Sequence, residues 1–151
     1  MSLGISAIKM KRLVEILYIV AENSSCCMLK VSAIVVDSNL SIISTGYNGT
    51  PAGSPNCDTY KTKEDHYSWD EIHAEINALA LATPASIVSN NRFILVKNLP
   101  CQSCTQAIVA NMRNLDLKAI YYLEDYKDDK FGDHQMELCE KAGIDLVKLT
   151  L

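Results

Sequence analysis

The sequence has no excess of positive charge, no long apolar run, no internal repeat and no low-complexity tract. Each absence removes a class of protein. A formal net charge of −4 argues against a surface that grips nucleic acid through phosphate contacts, so no nucleic-acid partner is expected. It still leaves room for a local basic pocket that takes one small anion. No apolar run reaches the ~18–20 residues needed to span a bilayer, so no membrane partner is expected. Met1-Ser2-Leu3-Gly4 lacks the charged-then-apolar order of a secretion signal and fits an expression remnant. Without such a signal, Cys26, Cys27, Cys57, Cys101, Cys104 and Cys139 read as metal ligands or buried thiols before they read as disulfides. The expectation is a cytoplasmic protein. What remains is ordinary globular composition, 48 % hydrophobic and 21 % charged over 151 residues. That is enough for a full core and for one domain covering residues 1–151.

Residues 8–22 carry Ile8, Leu13, Val14, Ile16, Leu17, Ile19 and Val20, too wide an apolar face for a surface helix, which predicts a mostly buried first helix. Val31 to Val36 is β-branched and short, and Asp37-Ser38-Asn39 is turn chemistry, so residues 41–47 should return as an antiparallel second strand. Residues 48–71 cluster Gly, Pro, Asn and Asp; so long a connection in a small domain is functional or tied down. Helical spacing of Ile72, Ile76, Leu79 and Ala80 predicts a second helix over ~72–82. Phe93-Ile94-Leu95-Val96 reads as a strand covered on both faces. A third helix over ~101–113, a strand over 119–123, a fourth helix over 133–142 closed by Gly143, and a strand over 144–149 complete the order. The pattern predicts an α/β, three-layer αβα sandwich around a five-stranded mixed sheet, with the last two strands parallel through a right-handed crossover.

Two short motifs carry the chemistry: His73-Ala74-Glu75 and Pro100-Cys101-Gln102-Ser103-Cys104. His73, Cys101 and Cys104 are three zinc-type ligands, and three protein ligands leave a fourth tetrahedral position open, the mark of a catalytic zinc. Glu75 is not needed as a ligand and stands ready to move protons. Two residues along a helix is ~200° of rotation, so His73 and Glu75 address one point only if that point lies off the helix N-terminus. Pro100 fits a helix entry and puts both cysteines in the first turn of the next helix. Two helix N-termini therefore converge, and their positive ends favour thiolates. In the chemistry this implies, a bound zinc brings the pKa of water from ~15.7 toward ~7, and Glu75 takes the proton that the water gives up. Taken singly, a C-x-x-C pair is often structural and a helical histidine is usually packing.

The combined pattern resembles the H-x-E…P-C-x-x-C signature of zinc-dependent deaminases. Gly46-Tyr47-Asn48-Gly49-Thr50-Pro51-Ala52-Gly53, followed by Cys57, resembles a segment of the deoxycytidylate deaminases, within the zinc-dependent cytidine/deoxycytidylate deaminase superfamily. The likeness extends over Cys26 to Val31, Ile72 to Ala78, Pro100 to Cys104 and Tyr122 to Tyr126. It is strongest to the T-even phage type and includes the bacterial competence-operon members. The resemblance implies a cytidine deaminase-like fold and conversion of dCMP to dUMP and ammonia, the precursor supply for thymidylate. It implies catalytic Zn2+ on His73, Cys101 and Cys104, with Glu75 as proton shuttle. Asn48 is then expected at the sugar, the Ala74 backbone at the base, Tyr126 near the nucleotide, and Lys30 on the phosphate side. It further implies a homohexamer, activated by dCTP with Mg2+ and inhibited by dTTP, with Gly46, Tyr47, Gly49 and Gly53 as the effector segment. Cys26, Cys57 and His66 match structural zinc ligands of the T-even phage enzymes, with Glu71 or Cys27 as a fourth group. Ser32 and Met28 depart from the residues usual in the family. Two rival readings remain open at this stage: a related deaminase acting on another substrate, whether another cytosine nucleoside or nucleotide, a tRNA adenosine or a riboflavin-pathway pyrimidine, and an inactive zinc-stabilised nucleotide-binding regulator.

Overall fold

The computed structural model of the chain describes residues 6–26, 28–55, 71–85, 91–125 and 132–151. Helix α1 (Ala7–Ala21) starts where the Ser6 hydroxyl accepts the Lys9 N–H at 3.3 Å. Strands β1 (Ser32–Val36) and β2 (Ile42–Tyr47) form an antiparallel hairpin. Its turn is held by Asp37 Oδ1, which accepts the N–H groups of Asn39 and Ser41, each at 2.9 Å. Helix α2 (Ala74–Leu81), strand β3 (Arg92–Asn98), helix α3 (Gln102–Leu115), strand β4 (Leu117–Glu124), helix α4 (Gly132–Ala142) and strand β5 (Asp145–Lys148) follow. Gly143, at φ 77°, ends α4 as its position predicts.

The strands lie in the order β2-β1-β3-β4-β5. β1 is antiparallel to both neighbours, and β3, β4 and β5 run parallel. The pleat sorts the core into two layers. Ile34, Val36, Phe93, Leu95 and Tyr121 face α1 and meet Met10, Leu13 and Leu17. Ala33, Val35, Ile94, Val96 and Ile120 face the other way, onto Ala74 and Ala78 of α2, Ile108 of α3 and Cys139 of α4. This is the expected mixed sheet with helices on both faces, and Cys139 is buried as expected. Phe93 to Val96 is fully buried, as its unbroken apolar run requires.

The first helix departs from expectation. Only Met10, Leu13, Leu17 and Ala21 are buried, one stripe at helical spacing, while Ile8 and Ile19 are 67 % and 68 % exposed. A single helix lying on a sheet can seat only one such stripe, so the remaining apolar residues stay outside. Among the described residues no helix is long and apolar enough to cross a membrane.

The connection after β2 is tied down at its neck. Gly49 and Ile72 form an isolated antiparallel bridge, with Gly49 N–H donating to Ile72 O at 3.1 Å and Ile72 N–H to Gly49 O at 2.8 Å. The excursion thus leaves and returns at one point, directly before the helix that begins with the His73 motif.

Candidate active site and metal centre

Both motifs sit where chain leaves extended structure for helix. His73 is the N-cap residue of α2, in extended conformation at φ −68° and ψ 150°. Cys101 is the N-cap of α3, also extended, and Pro100 stands one residue outside the helix rather than on its first turn. The Cys101 sulfur accepts the Cys104 N–H at 3.4 Å, the place a Ser or Asp oxygen takes at an ordinary helix start. Cap and first turn bring Cys104 Sγ to 3.3 Å and Cys101 Sγ to 3.6 Å from His73 Nδ1. Among the described residues this is the one group of three His, Cys, Asp or Glu side chains whose donor atoms all lie within 4.8 Å of one another.

The placement of α2 depends on β2. A Cβ on Gly46 would lie 2.3 Å from Ala74 O and 2.4 Å from Ala78 N, so only glycine lets the strand backbone touch the first turns of the helix. Ser44 Oγ donates to Ala78 O at 2.7 Å, and Asn77 Nδ2 donates to Tyr47 O at 2.9 Å. The helix that begins at the His73 cap is thereby clamped to an edge strand by its own backbone.

The electrostatics suit a cation. The Cys101 thiol is pulled down to about 4, first by the hydrogen bond from Cys104, with the His73 ring and the Cys104 N–H adding to it. Cys104 moves the other way: its bond to the Cys101 sulfur, its burial and the Glu75 charge all oppose ionisation. The two sulfurs are therefore pushed in opposite directions by their mutual contact. His73 is raised, chiefly by its hydrogen bond to Cys101. The Glu75 carboxyl is raised because it is buried, at 3 % exposure, against the smaller lowering effect of its hydrogen bonds to backbone and Cys104. Two sulfurs and one imidazole nitrogen are a donor set for Zn2+, and a divalent ion placed among them would displace protons from the thiols.

A model of the family described as "Cytidine and deoxycytidylate deaminase zinc-binding region" matches residues 8–122. The chain belongs to the cytidine and deoxycytidylate deaminases. The deoxycytidylate deaminase of Enterobacteria phage T2 is 30 % identical over 91 % of this chain and 90 % of its own. ComE operon protein 2 of Bacillus subtilis is 31 % identical over 89 % of this chain and 67 % of its own. Among solved structures, the dCMP deaminase of cyanophage S-TIM5, in complex with dCMP and dUMP, superposes with a TM-score of 0.77. It is 25 % identical, covering 97 % of this chain and all of that one.

Beside the metal donors this deaminase has a cleft of about 130 Å³, lined among others by Asn48, Glu71, His73, Ala74 and Glu75. Asn48 is buried and nearly saturated. Its Nδ2 donates to Leu29 O and to Glu71 Oε1, each at 2.8 Å, and its Oδ1 accepts the Val31 N–H at 2.9 Å. Cys26 and Glu71 line the same cleft. Lys30 is not in its lining; its Nζ lies 3.5 Å from Glu22 Oε2 at the surface. Gly46, Tyr47 and Gly49 line a second cavity, of about 330 Å³, between β2 and α2, and Gly53 does not. Cys27, Cys57, His66 and Tyr126 lie outside the described residues. The sequence reading overlooked two contacts. Glu71 reaches Asn48, and its Asn partner in a Gly-rich segment was the available hint. Gln135 reaches Pro100 O at 3.1 Å, and a glutamine in a polar helix gives no sign of that.

Proposed function

We propose that this deaminase hydrolyses dCMP to dUMP and ammonia, and so supplies the precursor of dTMP. The observation that carries the reading is Glu75, a carboxylate outside the donor set, buried against Cys104 at the edge of the cleft. His73, Cys101 and Cys104 would hold the zinc ion. When bound, zinc supplies the Lewis acidity that makes water a nucleophile near neutral pH. Glu75 takes one proton of the attacking water and passes it to the ring nitrogen beside the amidine carbon; it then takes the proton of the added hydroxyl and gives it to the amine as the C–N bond breaks, so the hydroxyl oxygen becomes the carbonyl of dUMP and ammonia leaves. Burial raises its proton affinity toward the working range, as a group that both accepts and donates needs. The cleft is smaller than the ~300–1,000 Å³ of a whole-ligand site, so it suits the base end of a nucleotide, with the Ala74 backbone at the base. Asn48 has one lone pair of Oδ1 left and would accept a sugar hydroxyl. The names of the phage relatives support dCMP over other substrates.

The finer features rest on the family resemblance with partial local support. The cavity lined by Gly46, Tyr47 and Gly49 suits the dCTP–Mg2+ and dTTP effectors. The Cys26 sulfur accepts the Met28 and Leu29 N–H groups at 3.4 and 3.5 Å, which fixes its position and supports a second, structural zinc with Cys57, His66 and Glu71. Tyr126 near the nucleotide, Lys30 on the phosphate side, one domain over residues 1–151, a cytoplasmic homohexamer, and no membrane or nucleic-acid partner complete the proposal.

Steady-state ammonia release from dCMP, CMP, cytidine and dCTP tests the reading. dCMP should lead by kcat/KM, and preference for the unphosphorylated nucleoside overturns it.

A further inference from the structure

Helix α4 lies behind the cysteine motif and buries just two side chains, Gln135 and Cys139. Gln135 is 1 % exposed. Its Nε2 donates to Pro100 O at 3.1 Å. Its Oε1 is buried and has no partner among the described residues. A half-satisfied buried amide is a poor stabiliser, because the unmade bond costs what the made one contributes; an apolar side chain of the same length would pack without that penalty. Fold stability alone therefore does not account for a glutamine here.

The position of its partner does. Pro100 has no N–H, so its carbonyl is the only hydrogen-bonding group its backbone offers. That carbonyl belongs to the peptide plane leading into Cys101, and the tilt of the plane sets the direction of the Cys101 side chain. On its other side Cys101 is already fixed, since its carbonyl accepts the Thr105 N–H at 2.9 Å. The Thr105 hydroxyl has one proton, and it sits 2.9 Å from Cys101 O against 3.5 Å from Pro100 O. Gln135 is thus the better-placed donor for the free side of the turn.

We propose that Gln135 is a positioning residue for the zinc site. It holds the peptide before Cys101 so that the Cys101 sulfur faces Cys104 and His73. The inference rests on the zinc-deaminase reading above. It makes stability and metal retention move in opposite directions, which a plain packing role does not.

The test compares wild type, Gln135→Met and Cys139→Ala as full-length zinc-loaded proteins. Zinc release into excess chelator is followed without substrate, and urea unfolding is followed on the zinc-free forms. The absorption spectrum of the Co2+-loaded protein reports ligand geometry. Gln135→Met should release zinc about tenfold faster or more, with an altered Co2+ spectrum, while its zinc-free form unfolds at the same or higher urea concentration. Cys139→Ala should lose stability on the same helix with little change in release. Unchanged release in Gln135→Met overturns the inference alone. So does faster release that merely tracks lost stability, as in the Cys139 control. If Gln135→Met does not fold, Gln135→Leu replaces it, and failure of both overturns the inference, because the amide would then serve the fold. Wild-type protein that takes up no zinc overturns the functional reading itself.

Discussion

In the proposed mechanism Glu75 is the residue on which the chemistry turns, and its burial makes two separable predictions. A glutamine in its place would keep the shape and lose the basicity, so Glu75→Gln should retain one zinc at His73, Cys101 and Cys104 while kcat falls by about 10²–10⁴. Metal analysis beside ammonia release checks this, and turnover near wild type would sink the proposed mechanism. The second prediction is thermodynamic. The Glu75 pKa is raised above its ordinary 4.5, with burial as the leading cause. The folded chain therefore binds this proton more tightly than the unfolded chain. Its contribution is fully present below about 4.5 and is lost as pH rises through the raised folded value. Glutamine has no such loss. In zinc-free protein, the urea midpoint of Glu75→Gln should gain on wild type as pH climbs from 4.5 toward neutrality. A constant difference across that range would show that the carboxyl is not desolvated.

At the scale of elements, the site is a meeting of two helix starts, and one of them is held by the contact between β2 and α2. Gly46→Ala would drive a methyl into Ala74 O and Ala78 N, both backbone atoms that cannot rotate away. The helix must shift, and His73 and Glu75 shift with it. The expected cost is about 1–3 kcal/mol of stability. With a displacement approaching 1 Å, about 10²-fold of kcat/KM is also lost. Gly49→Ala is the control: nothing lies within 4 Å of its added carbon, so stability should stay within about 0.5 kcal/mol. Urea unfolding and dCMP turnover of the two variants decide it. This contact also shows where reading the sequence stops. Phe93 to Val96 and the cap chemistry of Pro100-Cys101 are local signals, so β3, α3 and the convergence of the two motifs were legible. Gly46 looked like a strand or effector glycine, because closeness to a helix nearly thirty positions on leaves no local trace. The apolar residues Ile8 and Ile19 suggested a buried α1, whereas the number of layers on that sheet face, a global property, left them outside. Gln135 stayed hidden for the same reason as Gly46: its partner, Pro100, is distant in sequence.

For the whole molecule, the question is whether the metal makes the fold or only completes the site. Both cores are built without it. The layer under α1 and the layer under α2, α3 and α4 are each closed by apolar side chains from at least three elements. His73, Cys101 and Cys104 lie on helix starts outside both layers, and the sheet pairs independently of them. Removing zinc should therefore leave a folded, cooperative protein, unlike a zinc finger, in which the metal is the core. Stability should still fall, because an ion that binds only the folded state contributes by mass action, about 4 kcal/mol at a thousand times Kd. At about 2–4 °C per kcal/mol for a chain of this size, chelation should lower Tm by on the order of 10 °C. The loss should also be local. Amide exchange should quicken over residues 73–78 and 101–105, where the helix starts lose their shared partner, and stay slow in β1 and β3. If chelation instead abolishes the thermal transition or opens β1 and β3, the two apolar layers do not carry the fold unaided, and the ion would have to be counted among the things that hold the sheet together.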